Sequence, residues 1–149
     1  MHSVKLISEL FNQDVSILEN QSMRGQMTKI EELKEKAKVG WASFISFEAL
    51  TSTAAPKLVK FSGARQGMKL LDVACGTGVV ALTASRLGVE VEGIDLTPEL
   101  INRAIENSKI MGLKAKFVEG DAEFLPYREN DFDIIPVSYT HLTLPTSYA

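Results

Sequence analysis

The chain has 149 residues, 45% hydrophobic and 23% charged, with a net charge of −3 and one cysteine. That composition describes an ordinary globular domain and carries too little net charge for a disordered chain or a dedicated nucleic-acid binder. A single cysteine excludes an intramolecular disulfide framework and points to a reducing, cytoplasmic setting, and no uncharged stretch reaches the ~18 apolar residues of a membrane helix.

The charge is uneven: residues 1–69 hold ten Lys/Arg against seven Asp/Glu (+3), and residues 70–149 hold six against twelve (−6). In chain order, Val4, Ile7, Leu10 and Phe11 recur at helical spacing and predict an amphipathic helix over 3–12. The Thr28-Lys29-Ile30-Glu31 stretch has capping-box form. It opens a charged helix whose Lys and Glu run, including the pair Glu32 and Lys36, reads as a solvated face. Pro56 is expected to open a short helix that stops at Gly63.

From Met68 the pattern changes. Leu70-Leu71-Asp72-Val73-Ala74 is a buried strand running into a glycine turn, and Val79–Leu87 is a helix stopped at Gly88. Val89–Ile94 is a second strand ending at Asp95, followed by Thr97 as N-cap and Pro98 at the first helical position. That helix runs to about Met111; Ala115–Glu119 is a third strand, and Phe132–Ile135 begins a fourth. Strands alternating with helices predict an α/β fold with a parallel sheet covered on both faces.

Ligands of open parallel sheets bind beyond the carboxyl ends of the strands. Asp72, Asp95 and Asp121 fall at or just after three of those ends, separated by 23 and 26 residues, one βα repeat each. All three are therefore expected to face one crevice. Gly76-Thr77-Gly78-Val79-Val80-Ala81 fits the G-x-G-x-x-G/A form, with Asp95 nineteen residues past Gly76. Taken alone this suits a dinucleotide such as NAD. Asp72, however, lies where a pyrophosphate would approach, and its negative charge favours a ligand that lacks phosphate and carries an ammonium or sulfonium.

Leu70–Gly78 resembles the first motif of class I S-adenosylmethionine-dependent methyltransferases, and Gly93-Ile94-Asp95-Leu96-Thr97 resembles their second acidic motif. Glu119-Gly120-Asp121-Ala122-Glu123-Phe124-Leu125-Pro126-Tyr127 is similar to the Gly-Asp-Ala-x-x-Leu-Pro stretch of the ubiquinone/menaquinone-type branch. The likeness covers about residues 68–135; Ala74 departs from it, since the family more often has glycine there. It implies a Rossmann-like fold with S-adenosylmethionine as cofactor, and cofactor-binding roles for the matching positions. Ala74 and Cys75 lead into Gly76, Thr77 and Gly78, whose backbone would approach the methionine part. Asp72 would help hold its amino group. Asp95 would accept both ribose hydroxyls, Leu96 would pack on adenine, Asp121 would accept its amino group, and the Ala122 N–H would donate to the ring.

Other residues carry less. Cys75 has no histidine near it in sequence and reads mainly as a small turn residue; Trp41 is a candidate to cover the cofactor, and Asp133 reads as structural. His2 and His141 lack the spacing for metal ligation or a triad, so no metal is expected. No acceptor-side residue or general base is marked. The expected function is methyl transfer to a small-molecule acceptor, with nucleic acid and membrane disfavoured as partners. The alternatives are an NAD-binding dehydrogenase module and a non-catalytic methyltransferase-like subunit.

Residues 134–149 contain no Asp, Glu, Lys or Arg. Val137–Thr146 resembles the in-frame translation of a transposon adapter used for sequencing libraries, with Ser147–Ala149 from an adjoining barcode. The expected organisation is a helical region over 1–67, the cofactor-binding half of a methyltransferase domain over 68–135, and a non-native tail over 136–149. The resemblance implies a seven-stranded sheet ordered 3-2-1-4-5-7-6, of which the order 3-2-1-4 would be present and strands 5–7 absent. An apolar edge at the fourth strand would then favour self-association.

Overall fold

The computed structural model describes residues 23–43 and 48–136. The helix expected over 3–12, both histidines and the tail from 137 onward lie outside the described residues. The elements run α1 (Met23–Ala42), α2 (Glu48–Ser62), β1 (Lys69–Val73), α3 (Val79–Ser85), β2 (Glu90–Asp95), α4 (Pro98–Ile110) and β3 (Ala115–Glu119).

The three strands form a parallel sheet in which β2 is central. Leu70 lies opposite Val91, Asp72 opposite Gly93, and Asp95 opposite Glu119. On the free side of β1, Ile134 makes a parallel bridge to Leu70. There the Leu71 N–H donates to Ile134 O (3.0 Å) and the Val73 N–H to Pro136 O (3.3 Å). The spatial order is therefore β3-β2-β1 followed by residues 134–136, the 3-2-1-4 arrangement expected from the motifs.

Alternation along the strands splits the apolar residues between two faces. Leu70, Val91 and Phe117 join Val80, Ala81, Leu82, Ala84, Ile101 and Ala104 in the larger core, together with Ala55 and Val59 of α2. Leu71, Val73 and Ile94 form the opposite face, against partly buried Val118, Ala122, Leu125, Tyr127, Phe132 and Ile135. No helix among the described residues is long and apolar enough to cross a membrane.

Two helix starts differ from expectation. Thr28 lies inside α1, which starts five residues earlier at Met23 and runs through both Gly25 and the local capping signal. Pro56 lies inside α2 instead of opening it. An interior proline removes one helical hydrogen bond and costs about 3 kcal/mol in an isolated helix. Here tertiary packing offsets that cost: Ala55 and Val59, 1% and 2% exposed, anchor α2 in the core. The Thr51 and Ser52 hydroxyls donate back to the Glu48 and Ala49 carbonyls of the first turn. Asp133 has the structural place expected of it: its carboxylate accepts the Lys69 N–H (2.8 Å) and pins the start of β1.

Candidate functional site

The chain leaves β1 through a tight loop. Ala74 sits at φ +57°, Gly76 at +54° and Gly78 at +83°. The left-handed region is nearly free for glycine and costs alanine about 1 kcal/mol or more. The two glycines serve different needs. A Cβ on Gly78 would stand 2.8 Å from Phe117 Cζ and 3.2 Å from Ala104 Cβ, whereas one on Gly76 would meet nothing within 4 Å. Gly78 lets α3 pack on the sheet; Gly76 faces open space.

Three partners fix the loop. The Cys75 N–H donates to Ile94 O (3.1 Å), and the Gly76 N–H donates to Asp95 Oδ2 (2.8 Å). Asn107 Nδ2 of α4 donates to Thr77 O (3.2 Å) and to Glu48 Oε1 (2.9 Å), which also accepts from Arg103 Nε (3.1 Å). Glu48, Asn107 and Thr77 thus join the first turn of α2 to the glycine loop through α4. The sequence carried no signal for this chain of contacts, since one Asn on a helix face looks like any solvated residue.

Asp95, 9% exposed, holds the crossing point of the site. Its Oδ1 accepts the Thr97 N–H (2.9 Å) while Oδ2 holds Gly76. An ionised carboxylate offers about four lone-pair positions, so each oxygen retains one for a further donor. Thr97 caps α4 as expected, with Pro98 following, although its side chain makes no cap hydrogen bond. Leu96, half-buried, lies between Asp95 and Thr97.

Asp72 is placed differently from the other two aspartates. It is fully buried within β1, and its Oδ2 accepts the Ala81 N–H of α3 (3.1 Å). It lies beneath the glycine loop, with no exposure to the crevice, and binds α3 to the sheet. Cys75 is also buried; burial, with Asp72 and Asp95 nearby, pushes its thiol well above the usual range. A thiol held protonated is a poor nucleophile, in keeping with a packing role.

Asp121 follows β3 by two residues. Its Oδ1 accepts the Glu123 N–H (3.0 Å) in a local turn, and its Oδ2 accepts from Lys34 Nζ (2.6 Å), which also donates to the Glu123 carboxylate. Ala122, partly buried, packs on Leu71, Val73 and Ile94. Lys38, one turn on, lies 3.7 Å from Glu119 and 3.1 Å from Glu35. The charged run of α1 is therefore no simple solvated face: two of its lysines reach the carboxylates around the end of β3. Trp41, half-buried, lies one turn beyond Lys38 at the C-terminal end of α1. Among the described residues no group of three His, Cys, Asp or Glu is arranged to hold a metal ion.

The crevice beyond the strands thus holds a glycine loop with free space at Gly76, a carboxylate with unused acceptors at the end of β2, and a second carboxylate after β3. A family model described as a methyltransferase domain matches residues 70–148, more than half of the chain. The chain belongs to this family. The methyl donor of the family is S-adenosylmethionine, and the open space at Gly76 and the spare acceptors on Asp95 fit an amino-acid moiety and a ribose.

Over 88 residues the chain is 41% identical to Rv1403c, an uncharacterized protein of Mycobacterium tuberculosis, covering 59% of this chain and 32% of that protein. Over 92 residues it is 36% identical to the demethylmenaquinone methyltransferase of Staphylococcus aureus, covering 60% and 38% respectively. The crystal structure of YcgJ from Bacillus subtilis superimposes with a TM-score of 0.52 at 32% identity, over 56% of this chain and 36% of its own. The chain spans about a third of the length of the curated relatives it matches. The fold is accordingly a partial class I, Rossmann-like methyltransferase fold, and the matches give the dehydrogenase alternative no support.

Proposed function

We propose that residues 68–135 bind S-adenosylmethionine and that the protein directs its methyl group to a small-molecule acceptor in the cytoplasm. The observation that carries this reading is the Asp95 carboxylate, held by the Gly76 and Thr97 amides with one acceptor position left on each oxygen. Adjacent ribose hydroxyls are a matching pair of donors. Leu96 would cover one face of the adenine, Asp121 would accept its amino group, and the Ala122 N–H would donate to its ring. The Gly76-Thr77-Gly78 backbone would line the methionine part, with Ala74 and Cys75 shaping the turn into it. Asp72 would act on the amino group only indirectly, by holding α3 and the glycine loop in place from beneath.

When bound, the cofactor supplies a methyl group already activated by its sulfonium. In-line displacement then depends chiefly on bringing the acceptor to near-attack distance, so the work of these residues is binding and orientation. A small acceptor is favoured on two grounds. The net charge of −6 over residues 70–149 opposes a polyanion, and the staphylococcal relative is named for demethylmenaquinone, a small molecule. Calorimetric titration with S-adenosylhomocysteine tests the reading. Saturable binding is expected, weakened about tenfold to a hundredfold by Asp95→Asn, the range for losing hydrogen bonds to a charged group.

A further inference from the structure

Lys34 and Asp121 lie 87 residues apart in sequence, yet the Lys34 ammonium sits inside the turn that follows β3. It donates to Asp121 Oδ2 and to the Glu123 carboxylate, and stands 5.8 Å from the centre of the Phe124 ring. Two carboxylates and an aromatic face thus surround one cation, whose side chain is only 26% exposed. Asp121 Oδ1 is meanwhile engaged by the Glu123 N–H. Each oxygen of the carboxylate assigned to the adenine amino group therefore already carries one hydrogen bond, one of them from a charged donor that draws on the charge both oxygens share.

We propose that Lys34 sets the affinity and base selectivity of the cofactor site by competing with the adenine amino group for Asp121. The inference rests on the proposed role of Asp121. A charge-assisted hydrogen bond is roughly twice as strong as one from a neutral donor, so an arriving amino group meets a carboxylate whose negative charge is already partly neutralised by a better partner and which accepts more weakly. Adenine gains full use of Asp121 when Lys34 shifts its weight to Glu123, which holds the same ammonium one turn of loop away. Glu123 is the residue that makes the exchange cheap. Binding is then tightest in molecules with Asp121 released, so the apparent dissociation constant rises as that fraction falls.

This arrangement predicts opposite effects from two neighbouring substitutions, which a purely structural role would not. Lys34→Met frees Asp121 and tightens S-adenosylhomocysteine about twofold to fivefold, the range for a partly exposed ion pair. Glu123→Gln leaves Lys34 dependent on Asp121 and weakens it. The inosine analogue of S-adenosylhomocysteine, which presents a carbonyl in place of the amino group, responds in reverse. Lys34 can donate to that carbonyl, so Lys34→Met weakens its binding and widens the preference for adenine. Added salt, which screens the ion pair, tightens S-adenosylhomocysteine on the wild type and leaves Lys34→Met unmoved.

The experiment is calorimetric titration of the full 149-residue chain and both variants with the two nucleosides, at low and high salt. Tighter S-adenosylhomocysteine binding by Lys34→Met with weaker binding by Glu123→Gln supports the proposal. Equal or weaker S-adenosylhomocysteine binding by Lys34→Met overturns it while leaving the cofactor assignment standing. Failure of all three proteins to bind S-adenosylhomocysteine overturns the assignment and this inference together. Should Lys34→Met fail to fold, Glu123→Gln decides alone, since unchanged or tighter binding there contradicts the exchange.

Discussion

Asp95 ties the glycine loop to the start of α4 before it meets any ligand, and the residues around it show how closely the loop is packed. Ala74 occupies a left-handed conformation at φ +57° that glycine adopts without steric cost. Ala74→Gly is therefore expected to stabilise the fold by about 1 kcal/mol, seen as a higher midpoint in chemical denaturation with an unchanged slope. Gly93 gives the opposite case. A Cβ there would stand 2.7 Å from Phe117 Cδ1 and 2.8 Å from Cys75 Sγ, both in buried residues with little room to move. Gly93→Ala is expected to cost about 1–3 kcal/mol by overpacking, measured in the same denaturation series. The positions of Asp95, Asp121 and the glycines were legible in the sequence, because a turn, a cap and a close approach each demand a particular residue type. The burial of Asp72 was not. It accepts the Ala81 amide, and the path of the loop between them decides whether that carboxylate faces the crevice or lies beneath it.

At the scale of elements, the β1-α3-β2-α4-β3 run follows the hydrophobic pattern closely, since each strand and helix there buries one face against its sequence neighbours. The first two helices follow it less well. Their boundaries depend on contacts with distant residues: α2 is held through Ala55, Val59 and the Glu48 pair with Arg103, and α1 through Lys34 and Lys38. Local capping and proline signals are worth a few kcal/mol at most and give way to such packing. The α1 attachment carries a pH signature. Burial works to lower the Lys34 pKa, but hydrogen bonds to Asp121 and Glu123 outweigh it and the net shift is upward from 10.5. A raised folded-state value means stability that is complete below 10.5 and lost as pH rises through the higher value. The melting temperature of the wild type should exceed that of Lys34→Met by a constant margin up to about pH 10, then converge on it in more alkaline solution.

At the scale of the whole molecule, the parallel sheet brings the ends of β1, β2 and β3 to one side, and the functional reading depends on that arrangement. In that sheet β2 lies between β1 and β3, and residues 134–136 run alongside β1 on its other side. Among the described residues, the face bearing Leu71, Val73 and Ile94 is covered by side chains that are only partly buried, whereas the other face carries α3 and α4. The central claim is that the crevice at the strand ends is built for an adenosine-bearing sulfonium cofactor and not for a dinucleotide. Parallel calorimetric titrations with S-adenosylhomocysteine and with NAD test it most directly. Saturable binding of S-adenosylhomocysteine, sharply weakened by Asp95→Asn and unmatched by NAD, is the predicted result; saturable binding of NAD alone would contradict it.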